Sequence, residues 1–167
     1  MRDPEQAGNL LSIAERDYRA LCGMADPAVF SDEIFGFHVQ QAVEKALKAW
    51  LCCPGAAFPR THDLDELGAL LEEAGQTIPQ FAAGVLEFTD FAVVFRYEAF
   101  AEMEADVDRR ETVDRIARLL QHVRQVIAYE MRGAPPRPTA GRGMPRPYKT
   151  LNARRSIFLL RRPEAHT

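Results

Sequence analysis

Three side chains have the type and the setting needed to contact phosphate or a nucleobase. Arg96, in the stretch FAVVFRYE, can bind phosphate through its planar guanidinium or pair with an acidic neighbour. Tyr97 can stack on a base, although packing in the interior is the favoured interpretation. His62, in FPRTHDLDEL, stands at a predicted helix start, where a hydrogen-bonded capping role is favoured over catalysis. All three are candidates for nucleotide or RNA contact.

No recognised binding motif accompanies these side chains. The sequence contains no glycine-rich phosphate loop, no cluster with metal-ligand spacing and no Ser-His-Asp arrangement. We therefore predict no cofactor and no metal site. A nucleotide site would have to be built from side chains that meet between helices.

A polar face on one predicted helix supplies further candidates. In FGFHVQQAVEKALKAWL, residues 35–51, the apolar side chains fall on one arc at about 100° per residue. The opposite arc holds His38, Gln41, Glu44, Lys45 and Lys48, together with Phe37. Glu44 and Lys48 form an i,i+4 ion pair, and the arc is expected to face water. Phe37 is out of place among charges, which favours cover by a partner over chance exposure. We predict a partner contact at Phe37, Gln41 and Lys45, and we add Lys45 to the candidates for nucleotide or RNA contact.

The elements that must position these residues are all predicted helices. Apolar residues recur at helical spacing along most of the chain, and no strand pair with a hairpin turn is visible. The predicted helices span about Leu10–Cys22, Asp32–Cys53, 61–75, a segment that opens at Pro79, and Phe100–Met131. The fourth segment ends in FAVVFRY, whose β-branched and aromatic residues leave the local propensity ambiguous between helix and strand. The fold class is therefore an all-α, up-and-down bundle of four to five helices.

The charge is divided between two parts of the 167-residue chain. Residues 1–132 hold 13 Lys and Arg against 23 Asp and Glu, a net charge of −10, whereas residues 133–167 hold 8 against 1, a net charge of +7. Proline recurs between residues 135 and 147, which prevents regular helix or sheet. We expect residues 133–167 to be an extended, disordered basic tail. A separate hypothesis is that this tail binds nucleic acid or the acidic body through charge.

Composition also restricts the compartment. The three cysteines, Cys22, Cys52 and Cys53, lack C-x-x-C spacing, so neither a disulfide framework nor a zinc site is predicted. No apolar run reaches about 18 residues, and the polar N-terminus lacks the features of a secretory signal. A cytoplasmic protein without a membrane span is expected.

Three stretches together resemble the HEPN domain family. FHVQQAVEKALKAWL, FPRTHDLDEL and FAVVFRYE occur in the family's order and at about its spacing. The resemblance covers residues 8–132 and leaves 133–167 outside. It implies a helical up-and-down bundle, commonly a homodimer, often encoded beside a small nucleotidyltransferase with which it forms a toxin–antitoxin pair. It also implies that many members are ribonucleases that use an Arg and a His close in sequence.

The Arg–His pair implied by the resemblance is not distinctive in this chain. Attack of the RNA 2′-hydroxyl needs a group that moves protons and a cation that stabilises charge at phosphorus. Arg115 with His122 and Arg161 with His166 have suitable spacing, about as many matches as chance gives. Arg115 is followed by Ile116, where active members carry a polar residue. We favour a regulatory component of a nucleotidyltransferase module, and the alternative is a metal-independent ribonuclease toxin that uses Arg115 and His122.

Overall fold

The computed structural model describes residues 2–89 and 107–132, and these residues form five helices. They are α1 (Pro4–Gly23), α2 (Asp32–Cys52), α3 (Leu64–Glu73), α4 (Gln80–Leu86) and α5 (Arg109–Met131). No strand occurs in this part of the chain, so the predicted all-α bundle is confirmed. The candidates Arg96 and Tyr97, the stretch FAVVFRY and the basic tail with Arg161 and His166 lie outside the described residues.

Aspartate side chains fix where three of the helices begin. Asp3, Asp63 and Asp108 each accept hydrogen bonds from backbone N–H groups in the first turn that follows. These bonds satisfy donors that have no partner inside the helix. The first helix therefore begins at Pro4, earlier than the predicted Leu10. The last helix begins at Arg109, so the prediction of one continuous helix from about Phe100 is wrong.

The second helix lies at the centre of the bundle. It packs most extensively against α1, and it also contacts α3, α4 and α5. Its apolar arc is buried as predicted, with Phe35 and Trp50 among the largest fully buried side chains. Trp50 also donates its Nε1 hydrogen to Gln76 Oε1 at 3.1 Å, which satisfies the indole where it is buried.

The prediction that the polar arc of α2 faces water is wrong for Glu44, and the rest of the arc is only partly exposed. Glu44 is 1% exposed and Gln40 is fully buried. The chain that enters α3 crosses this arc, because Lys48 Nζ donates to the Thr61 carbonyl at 2.8 Å and Gln40 Nε2 donates to the His62 carbonyl at 3.0 Å. The helix is thus covered on both its apolar and its polar side, and the polar side chains must satisfy one another.

A buried arginine joins the start of α5 to the connection between α1 and α2. Arg109 donates to the Met24 carbonyl at 2.7 Å, to the Phe30 carbonyl at 2.6 Å and to Asp32 Oδ1 at 2.6 Å. Its guanidinium also lies over the ring of Phe35, 4.9 Å from the centroid. These contacts fix α5 relative to the first two helices at one end of the bundle.

Candidate functional site

The candidate site is a network around one buried carboxylate, which we call the Glu44 network: Gln40, Gln41, Glu44, Lys45, Lys48 and His62. Both lysines donate to Glu44 Oε1, Lys45 at 2.7 Å and Lys48 at 2.8 Å. The other oxygen, Oε2, is 2.8 Å from His62 Nδ1 and 3.1 Å from Gln40 Nε2. Four side chains therefore bind the two oxygens of a single carboxylate.

Helical spacing and one loop bring these side chains together. Gln40, Glu44 and Lys48 are four residues apart and lie on one face of α2. Gln41 links Gln40 to Lys45, because its amide nitrogen donates to Gln40 Oε1 at 2.6 Å and its amide oxygen accepts from Lys45 Nζ at 3.3 Å. His62 comes from the loop, whose backbone is held by the Lys48 and Gln40 bonds described above. The loop is thus anchored to α2 through both its backbone and its histidine ring.

The electrostatics of the network favour an ionised carboxylate. Burial by itself raises the pKa of Glu44, but hydrogen bonds from Lys45, Lys48 and His62 outweigh it and lower the pKa to about 2. At neutral pH Glu44 therefore carries −1 and the two lysines carry +2. A net positive charge remains in the network before any proton binds to His62.

His62 and Lys45 are the most exposed of the ionisable side chains in the network. The His62 side chain is 45% exposed and the Lys45 side chain is 21% exposed, whereas Lys48 is 11% exposed. Lys45 and His62 were separate candidates for nucleotide or RNA contact, and the structure brings them to the same carboxylate. Such a surface can bind an anion, because it offers the Lys45 ammonium and a histidine ring that donates from its free nitrogen when it is protonated.

His62 does not cap α3, so the favoured interpretation of this residue is wrong. Asp63 is the cap and accepts from the backbone N–H groups of Asp65 and Glu66. The His62 ring instead turns to Glu44. Sequence reasoning also missed Gln40, whose burial depends on a loop 22 residues away. The only sequence signal is the row of Gln40, Glu44 and Lys48 at four-residue spacing.

Two of the three predicted partner-contact residues, Gln41 and Lys45, belong to the Glu44 network, and Phe37 precedes them on the same helix. Phe37 is half-buried, and its ring meets His38 edge to face with 5.6 Å between centroids. His38 in turn lies with Nδ1 3.0 Å from Asp17 Oδ1 on α1. Gln41 and Lys45 continue the same side of α2. The three predicted residues therefore share one surface of one helix, and their role as a partner contact stays a prediction.

Arg115 and His122, the predicted catalytic pair, are engaged with different neighbours. Arg115 donates to Glu111 Oε1 from Nε at 3.1 Å and from Nη2 at 2.5 Å, and its guanidinium lies against Gly84 of α4. The His122 ring packs on Trp50 of α2, with 4.6 Å between centroids. Seven residues of helix separate their Cα atoms by about 10 Å. Their use in catalysis stays a prediction.

The described residues thus form an all-α bundle with a cationic network on its central helix. The family model for the HEPN domain matches residues 5–133, and the chain belongs to the HEPN domain family. The family comprises helical domains of nucleotide-binding or RNase type. No curated protein and no solved structure matches the chain. Among the helices of residues 2–89 and 107–132, none has the length and apolar character that crossing a membrane requires.

Proposed function

We propose that this HEPN protein binds nucleotide or RNA phosphate and acts as the interaction or regulatory component of a nucleotidyltransferase-linked, toxin–antitoxin type module. The observation that supports phosphate binding is the convergence of Lys45 and His62 on Glu44. The proposed setting is cytoplasmic, with residues 8–132 as the domain and 133–167 as a separate basic tail.

Lys45 is the proposed primary phosphate contact. Its ammonium is fixed by Glu44 and Gln41 but remains partly exposed, so it loses little freedom when an anion binds. Lys48 is held deeper by Glu44 and the Thr61 carbonyl, and its role is to support the network. In this proposal Lys45 contacts the ligand, and Lys48 stabilises the fold around the site.

Titration of a labelled single-stranded RNA, with ADP in parallel, tests phosphate binding. Replacing Lys45 with Met should weaken binding and lower the slope of log K against log salt by about 0.7, the value for one contact to a single strand. Arg110→Met is the control, because it removes one exposed positive charge from α5, away from the network. Equal slopes for the wild type and Lys45→Met would count against the site.

The proposed partner surface is Phe37, Gln41 and Lys45. A half-buried aromatic ring beside polar groups suits a protein interface, where aromatic residues are enriched. We propose that a small nucleotidyltransferase contacts this side of α2 and that the protein forms a homodimer.

Co-expression with a small nucleotidyltransferase encoded beside this protein tests the module. The two chains should co-purify, and Phe37→Ala should reduce the recovered partner while Val29→Ala, which alters an exposed apolar residue elsewhere, should not. Sedimentation of the purified chain tests the homodimer. A chain that stays alone when the partner is present would refute the module, whatever the outcome of the RNA titration.

A further inference from the structure

The state of the His62 ring follows from its contact with Glu44. A carboxylate with a pKa of about 2 is ionised at neutral pH and can only accept hydrogen bonds. His62 Nδ1, 2.8 Å from Oε2, must therefore carry a hydrogen. In the neutral ring the other nitrogen, Nε2, then has a lone pair and no hydrogen.

In this tautomer, the addition of one proton changes Nε2 from a hydrogen-bond acceptor to a donor. A phosphate oxygen that approaches the neutral ring meets another acceptor, which repels it. After protonation the same nitrogen donates a hydrogen bond, while Nδ1 keeps its bond to Glu44. The positive charge of the network rises by one at the same time. The ring does not have to rotate for either change, because Glu44 holds it in both states.

We propose that His62 is a proton-operated phosphate contact: it opposes a phosphate oxygen when neutral and binds it when protonated, beside Lys45. This inference rests on the proposed function and adds its regulation. The ligand class is a phosphate group on a nucleotide or an RNA chain. Histidine side chains change charge between about pH 5 and 8, so binding is stronger at mildly acidic pH.

The charged residues nearest His62 in contact or in sequence lie on α2, on its own loop and on α3. On α2 they are Glu44, Lys45 and Lys48; on the loop, Arg60 and Asp63; in the first turn of α3, Asp65 and Glu66. Asp63 is directed at the start of α3, where it binds two backbone N–H groups. Among these groups, only Glu44 has a carboxylate hydrogen bond to the His62 ring in the described contacts.

His38 provides a matched control on the same helix. Its Nδ1 also lies against a carboxylate, Asp17, at 3.0 Å, and its side chain is partly exposed. It is seven residues from Lys45, about 10 Å along the helix. A general effect of histidine protonation would therefore involve His38 as much as His62.

Binding of a labelled single-stranded RNA, and of ADP, is measured at pH 6 and pH 8 across a salt series. The wild type should bind about tenfold more tightly at pH 6, the effect of one charge-assisted hydrogen bond. The salt slope for RNA should be about 0.7 larger at pH 6. His62→Gln should remove both differences, whereas His38→Gln should keep both differences. The ligand that loses its pH difference in His62→Gln is the one that contacts the ring: loss for RNA alone identifies the polymer, and loss for ADP alone identifies the nucleotide.

Each outcome has a defined consequence. Binding that depends on Lys45 but is equal at pH 6 and pH 8 refutes the switch and leaves the proposed function standing. A pH difference that persists in His62→Gln also refutes the switch. Absence of binding at both pH values refutes the switch and the phosphate site together. Nitrogen NMR of the histidine rings at pH 8 is independent of any ligand, and a hydrogen on Nε2 of His62 would overturn the inference.

Discussion

Replacing Glu44 with Gln should make the stability of this protein much less dependent on pH. The carboxylate has a pKa of about 2 in the folded protein, against an ordinary value of 4.5, because three hydrogen-bonded cationic or histidine partners outweigh its burial. A folded-state pKa below the unfolded value stabilises the fold above the unfolded pKa. That stabilisation is present at neutral pH and is lost as the pH falls from about 5 toward 2.

The expected size follows from the two pKa values. A difference between 4.5 and about 2 corresponds to about 3 kcal/mol of unfolding free energy at pH 7, at about 1.4 kcal/mol per pKa unit. Gln is close in size to Glu and keeps one acceptor oxygen, so little packing is lost. The variant should therefore be about 3 kcal/mol less stable at pH 7, and the gap should narrow steadily as the pH approaches 2.

Urea unfolding from pH 2.5 to pH 7, followed by far-UV circular dichroism, measures this gap. Glu111→Gln is the control, because Glu111 also forms an i,i+4 pair, with Arg115, but its side chain is 57% exposed. Exposed pairs contribute about 0–1 kcal/mol, so this variant should track the wild type. A Glu44→Gln curve parallel to the wild type at all pH values would refute the reasoning, because it would mean that the carboxylate is not preferentially stabilised by folding.

The remaining predictions concern the thiols, the arginine at the start of α5 and the predicted catalytic histidine. Burial raises the pKa of the Cys53 thiol to about 12. A thiol reagent at pH 8 should therefore modify the exposed Cys22 first, and Cys53 only after the protein is unfolded in urea. Equal rates of modification of the two thiols in the native protein would contradict this. Arg109→Met should lower the unfolding free energy by about 3 kcal/mol, and Arg109→Lys should recover only part of it, because one ammonium cannot replace the forked contacts with Asp32 and two carbonyls. Expression of the wild type and of His122→Ala should leave cellular RNA intact in both, and RNA cleavage that requires His122 would instead establish the ribonuclease.

The fold could be predicted because apolar residues recur at helical spacing in each predicted helix. The apolar arc of α2, from Phe35 to Trp50, is buried as its spacing predicts. Helix starts were less certain from sequence. Several polar residues near each start could cap, and only the backbone path shows that Asp3 and Asp108 do so. The Glu44–Lys48 pair was predicted from i,i+4 spacing and is confirmed, but its burial was not predicted.

The sequence by itself determined the helices, the family and the types of residue available for binding. Local spacing decides which side chains share a face of one helix, because a helix repeats every 3.6 residues. Only the tertiary structure decided that the loop at residues 61–62 covers part of the polar face of α2, since the two bonds that hold it there join residues 22 and 13 positions apart. The same contact removes Glu44 from water and brings His62 to it, while hydrogen bonds from Lys45, Lys48 and His62 keep the carboxylate ionised. A set of side chains expected to be solvated is thereby converted into the candidate site.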